Sequence, residues 1–83
     1  MKYNELKIMI LEIFNKNEGM NFQELIDQFK KDLIMDQKAL QMALLRYHRQ
    51  GLLNRRKKGK YYFYKISERG KIRLKWLRKN STN

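Results

Sequence analysis

Cysteine and proline are absent from this chain, histidine occurs once, serine twice and glycine four times. Without cysteine there is no disulfide framework, no thiolate zinc site and no thiol nucleophile, and nothing calls for an oxidising compartment. The four glycines are scattered, so no phosphate-cradling loop can be assembled from them. The sole histidine, His48, stands beside Arg46 and Arg49, a poor place for a cation ligand, and reads as a solvated or phosphate-contacting side chain. Of the two serines, Ser67 is placed to cap a helix and Ser81 lies in a polar tail. The carboxylates fall on helix surfaces, and Asp32 with Asp36 reads as the end of one helix and the start of the next. No catalytic residue, metal site or cofactor is expected, and the chain does not read as an enzyme. The longest aliphatic run, Ile8 to Leu11, is far below the ~20 residues of a membrane span. Met1 to Glu5 leads into no signal-type apolar segment, so the expected location is cytoplasmic, with no membrane partner.

Acid is the other scarce commodity: 8 Asp and Glu stand against 20 Lys and Arg, a net charge of +12. At 83 residues and 42% hydrophobic, the chain has the material for one small domain and a modest core, and is too apolar for a disordered basic tail. The charge is also unevenly placed. Residues 1–45 carry six cations and seven acids, whereas residues 46–83 carry fourteen cations and one acid, Glu68. Solubility does not require such crowding, and like charges packed together oppose folding. A polyanion partner is the simplest reason for it, which points to nucleic acid.

Periodicity divides the chain. From Asn4, a possible N-cap, to about Asn15, the residues Leu6, Met9, Ile10, Ile13 and Phe14 recur at helical spacing, and Gly19 is a natural terminator. A second helix starts with Asn21 and Glu24 as a capping box and Met20 with Leu25 as a hydrophobic staple, running to about Lys31. After a break at Leu33-Ile34-Met35, Asp36 caps a third helix over 36–50, with Met35 and Leu40 as its staple. Its apolar face is Leu40, Ala43, Leu44 and Tyr47, and Gly51 ends it. The pattern then turns to alternation. Residues 52–56 and 61–66 read as two strands joined by a turn in which Gly59 takes positive φ, with Tyr62, Tyr64 and Ile66 inward. Ser67 then caps a last helix from Glu68 to about Lys79, followed by a frayed tail over 80–83.

The third helix would show Lys38, Gln41, Met42, Leu45, Arg46 and Arg49 on its outer face. A helix of this size fits the major groove of a duplex, where Gln pairs with adenine and Arg with guanine. Lys38, Gln41, Met42, Leu45 and Arg46 are the expected base-reading set, led by Gln41 and Arg46, with Arg49 on the backbone. Arg55, Arg56, Lys57, Lys58 and Lys60 crowd five cations into six residues at the hairpin tip, and an adjacent DNA backbone would relieve their repulsion. The same string also matches a nuclear-import pattern, a weaker signal. Tyr61 and Phe63 leave room for a single-strand or RNA binder that stacks bases, should both prove exposed. Phe63 is expected to pack on the first helix.

The order helix, helix, helix, basic hairpin, helix resembles the winged helix–turn–helix family of DNA-binding transcription regulators. The most specific stretches are Tyr47-His48-Arg49-Gln50-Gly51-Leu52-Leu53 and Tyr64-Lys65-Ile66-Ser67-Glu68-Arg69-Gly70-Lys71. They look like the recognition-helix end, wing and final-helix start of small PadR-like and MarR-like regulators, especially compact archaeal forms. Ile66-Ser67 and Gly70 stand where those families typically have Leu-Thr and a following Gly. The long C-terminal helices by which those regulators dimerise are lacking. The resemblance implies an α+β, mostly α fold, with a three-helix core, a two-stranded basic wing and a C-terminal helix. It implies a sequence-specific double-stranded DNA binder, a transcription regulator of repressor type.

Ile8 and Leu11 on the first helix, and Leu74 and Trp76 on the last, lie off the core-facing stripes and form the expected homodimer interface. No small-molecule ligand is evident. A non-specific architectural DNA-coating protein, an RNA or single-strand binder and a protein-interaction module are the competing readings. The Lys-, Asn- and Ile-rich composition hints at an AT-rich genome, whether cellular, plasmid or viral.

Overall fold

The aliphatic surplus of the first helix has a structural cause: that helix is packed on more than one side. In the computed structural model, which describes residues 3–28 and 37–80, helix α1 (Tyr3–Lys16) lies against both the last helix and the sheet. Leu6, Ile10, Leu11 and Phe14 are buried, and Ile8, Met9 and Ile13 are partly buried against the same core. The helix begins at Tyr3, one residue ahead of the expected cap Asn4.

Gly19 takes φ +72° and reverses the chain into a two-residue strand, β1 (Met20–Asn21), which leads directly into α2 (Phe22–Gln28). The capping box forms as its spacing predicts. The Glu24 backbone N–H donates to Asn21 Oδ1 at 2.8 Å, and the Asn21 backbone N–H donates to Glu24 Oε1 at 3.0 Å. Met20 and Leu25, the staple pair, are both buried. The expected end of this helix, the break at 33–35, the Asp36 cap, Met35 of the second staple and the tail over 81–83 lie outside the described residues.

Helix α3 (Gln37–Arg49) buries Leu40, Ala43, Leu44 and Tyr47, the face that the periodicity marks. It closes in a Schellman arrangement: Leu52 N–H donates to the Tyr47 carbonyl and Gly51 N–H to that of His48, with Gly51 at φ +79°. The chain then forms the antiparallel pair β2 (Leu53–Lys58) and β3 (Tyr61–Ile66), with Gly59 at φ +65° in the turn.

Strand β1 joins the other edge of β3, pairing Met20 with Tyr64 and Asn21 with Phe63. The sheet therefore has three strands in the order β1-β3-β2, one more than the alternation predicts. A two-residue strand is too short to show alternation, and its residues double as a helix start.

Helix α4 (Glu68–Asn80) buries Gly70, Leu74 and Leu77 and packs on α1, while Arg78 Nε donates to Glu12 Oε1 at 3.0 Å. Leu11 and Leu74 are thus core residues, not surface ones, and this corrects their place in the expected homodimer interface. The space they would offer a second copy is filled by the meeting of α1 with α4 inside one chain. Ile8 is only partly buried, and Trp76, with Ile72, is exposed.

The junction of hairpin and last helix is tight. Ser67 N–H donates to the Leu52 carbonyl, while the Ser67 hydroxyl donates to the Gly51 carbonyl and accepts from the Gly70 N–H. A Cβ on Gly70 would lie 2.1 Å from the Leu52 carbonyl oxygen and 2.8 Å from Ile66 Cγ1, so glycine is required there by close approach. The fold is α+β and mostly helical, with four helices and a three-stranded antiparallel sheet among the described residues.

Candidate nucleic-acid interface

With its apolar stripe committed to the core, α3 has one face left. Lys38, Gln41, Met42, Arg46 and Arg49 are exposed on it and Leu45 is half-buried, as the helical spacing predicts. The Arg46 guanidinium lies 5.7 Å from the Tyr47 ring centroid.

The hairpin cations divide by parity. Register pairs Arg55 with Tyr64 and Lys57 with Tyr62, so these four share the sheet side that carries Leu53, Ile66 and Met20 into the core. Arg56 pairs with Phe63 and Lys58 with Tyr61 on the opposite side. All five of Arg55, Arg56, Lys57, Lys58 and Lys60 are exposed. Tyr62 is the exception to the inward assignment. It belongs to the core-facing side yet is 43% exposed, whereas Tyr64 is 8% exposed. The helices reach along the hairpin as far as Tyr64, where the Phe14 ring meets it edge-on at 6.3 Å, and leave Tyr62 uncovered. Cations hold the Tyr62 ring instead, with the Arg55 guanidinium 4.3 Å and the Lys57 ammonium 5.9 Å from its centroid.

Between α3 and the hairpin runs an open cleft of about 470 Å³. Gln41, Met42 and Leu45 form one wall, Lys60, Tyr61 and Tyr62 the other, and Asn21, Phe22 and Gln23 from the start of α2 close one end. Leu44 and Tyr64 make the floor. The structure therefore brings three of the five candidate base readers and one hairpin cation around a common space. Lys38, Arg46 and Arg49 lie on the same helix face but outside the cleft wall. Arg56, Lys58 and Phe63 line a separate groove with Glu18 and Gly19 beside the far side of the sheet, and Lys57, whose ammonium lies against the Tyr62 ring, also borders it. Phe63 is half-buried there rather than packed on α1.

His48 is corrected by geometry. Its Nδ1 lies 3.0 Å from the Leu53 carbonyl, which can only accept, so the ring donates and ties the end of α3 to the start of β2. Lys7, unmarked by the periodicity, is almost fully buried, with Nζ donating to Gln50 Oε1 at 3.0 Å and lying 5.4 Å from the Tyr47 centroid. Its signal in the sequence is a lysine flanked by Leu6 and Ile8 on a helix apolar around much of its girth. Tyr61, Tyr62 and Gln23 are cleft residues that stand outside the expected base-reading set. Among the described residues no three His, Asp or Glu side chains converge as a metal site, and no helix is long and apolar enough to cross a membrane. Comparison with family models, curated proteins and solved structures finds no match to this chain.

Proposed function

We propose that this chain is a sequence-specific double-stranded DNA-binding protein of winged helix–turn–helix type, a transcription regulator that represses by occluding a promoter. Helix α3 would enter the major groove, with Gln41 and Arg46 leading the base contacts, and the β2–β3 hairpin would act as the wing on the flanking backbone or minor groove. One observation carries this reading: the outward face of α3 and Lys60 of the hairpin line one cleft, and Arg55 and Lys57 lie against its Tyr62 ring. Selection of bound duplexes from a random pool tests it. A recovered motif bound at least about a thousandfold more tightly than random duplex at equal salt supports it, whereas a ratio near one assigns the chain to architectural coating.

Trp76 and Ile72 remain the large apolar side chains available for two-fold pairing through α4, and Arg69 and Arg73 surround them. Six cations against one acid on that helix oppose contact with its own copy. The free protein is therefore proposed to be monomeric, with two copies meeting only on a palindromic duplex whose phosphates neutralise them. A ~10 kDa species in sedimentation without DNA, and a 2:1 complex with a palindrome, are the expected results.

Phe63 is half-buried, so the Tyr61–Phe63 pair does not meet the condition for a stacking platform; exposed Tyr61 and Tyr62 are the rings that support a second reading, binding of single strands by stacking. Tighter binding to single-stranded than to duplex DNA of the same sequence would select it.

A further inference from the structure

The cleft has an unusual lining for a surface that would meet a polyanion. Cations stand at its rim, with Lys60 in the wall and Arg55 and Lys57 held against the Tyr62 ring. Its interior, however, is apolar and aromatic. Met42 is 51% exposed on a helix whose other fully outward positions are polar, and Leu45 and Tyr62 line the same cleft. An apolar lining under a cationic rim suits a ligand whose charge lies at its edge and whose body is hydrocarbon. A deoxyribose–phosphate strand has that form: anionic oxygens project outward, and the sugar presents C–H groups, including an unsubstituted C2′.

Topology supplies the occupant. Where α3 lies in a major groove and the hairpin on the adjoining minor groove, the ridge between the two elements is a single sugar–phosphate strand. Resting on the duplex binding proposed above, we infer that this cleft seats that strand and that its Met42, Leu45 and Tyr62 lining selects deoxyribose over ribose. Met42 and Leu45 then act on the sugar rather than on base edges. A 2′-hydroxyl placed against them loses its water and gains no partner, which carries a penalty of about tenfold in affinity. Gln23, in the same lining, has an amide N–H group to offer the phosphate oxygens, which leaves Gln41 to the bases.

The test uses the full chain and a duplex recovered by random-pool selection, with a single ribonucleotide walked along each strand and affinity read by anisotropy at fixed salt. For each bound copy, a 2′-hydroxyl should lower affinity about tenfold at one or two consecutive nucleotides of one strand, and less than about twofold elsewhere. A 2′-fluoro sugar at those nucleotides alters pucker without adding a hydroxyl and should cost less than about twofold. Met42→Gln supplies a partner for the hydroxyl at an exposed position and should abolish the ribose penalty there, whatever its overall affinity. Selective duplex binding with a flat ribose profile overturns the inference alone. So does a penalty reproduced by 2′-fluoro, or one that persists in Met42→Gln. Failure to bind duplex, or a preference for single strands, overturns the binding reading itself.

Discussion

The two ends of the β2–β3 hairpin obey one alternation and come to opposite fates. At the base, Leu53, Ile66 and Tyr64 point to the helices and are buried; two residues further out on the same side, Tyr62 faces solvent among cations. Parity decides which side of a sheet a residue joins, but the length of the underlying helices decides whether that side is covered. The base is held by the Ser67 hydroxyl, the His48 ring and the close approach of Gly70, all within a few residues of Leu52. The tip is held by its own ladder, and its five cations are all exposed. On the proposed reading, one end is built for stability and the other for contact, and substitutions should separate the two.

The largest effect is expected from Gly70→Ala at the base. The new methyl would meet a backbone carbonyl already engaged by Ser67 N–H, so it cannot be relieved by turning a side chain. A loss of about 3 kcal/mol or more in urea unfolding is expected, enough to leave a domain this small largely unfolded. A stable Gly70→Ala protein would show that the junction is loose.

The tyrosine pair cuts more directly at the difference. Tyr64→Ala should destabilise by about 3 kcal/mol or more, while Tyr62→Ala should stay within about 1 kcal/mol in the same measurement. Similar losses at both positions would mean that the covered region extends to the tip.

Ser67→Ala removes an N-cap contact and a bond to the Gly51 carbonyl together, for an expected cost of about 1–2 kcal/mol. DNA affinity measured well below the unfolding midpoint should be unaltered.

At the tip, stability should be indifferent and binding should not. Replacing Arg55, Lys57 and Lys60 with Ala should leave unfolding within about 0.5 kcal/mol. The same change should flatten the salt dependence of duplex binding by about 0.9 for each phosphate no longer neutralised. The smallest and most discriminating difference is between neighbours. Lys57→Ala, on the α3 side, should weaken binding more than Lys58→Ala, on the far side, by about 0.5–1 kcal/mol. Equal losses would put both faces of the hairpin against DNA, as a wing inserted edge-on would do.

Much of this contrast is legible in the residues. Asn21 with Glu24, Gly19, Gly51, Gly59 and Ser67 each encode a local event that needs no tertiary partner, and each takes the place its neighbours in sequence imply. The outward face of α3 follows from its inward one. What cannot be read depends on which surfaces meet. Leu11 and Leu74 look surplus because a one-dimensional pattern shows that a helix is apolar on two sides, not whether both are filled by the same chain. Trp76, placed off the core-facing stripe by the same pattern, is exposed, while Leu74 and Leu77 take the inner positions of α4. Tyr62 and strand β1 escape the pattern for reasons of extent, one lying just past the helices and the other being too brief to alternate. The cleft joins residues far apart in sequence, Gln41 and Tyr61, and no spacing rule links them.

The anchoring of the hairpin at one end only also sets how the chain can change in length. Because Leu53 and Ile66 are fixed at the base while the turn at Gly59 meets open space, residues added in matched pairs, one to each strand beyond Tyr64, would lengthen the projection by about 3.4 Å per step without moving a core side chain. Two such steps restore the original facing of Lys57 and Tyr62, whereas one exchanges them with their neighbours on the other side. Related chains should therefore differ in hairpin reach by even increments per strand, and an odd increment should mark a lineage whose contact surface has turned over.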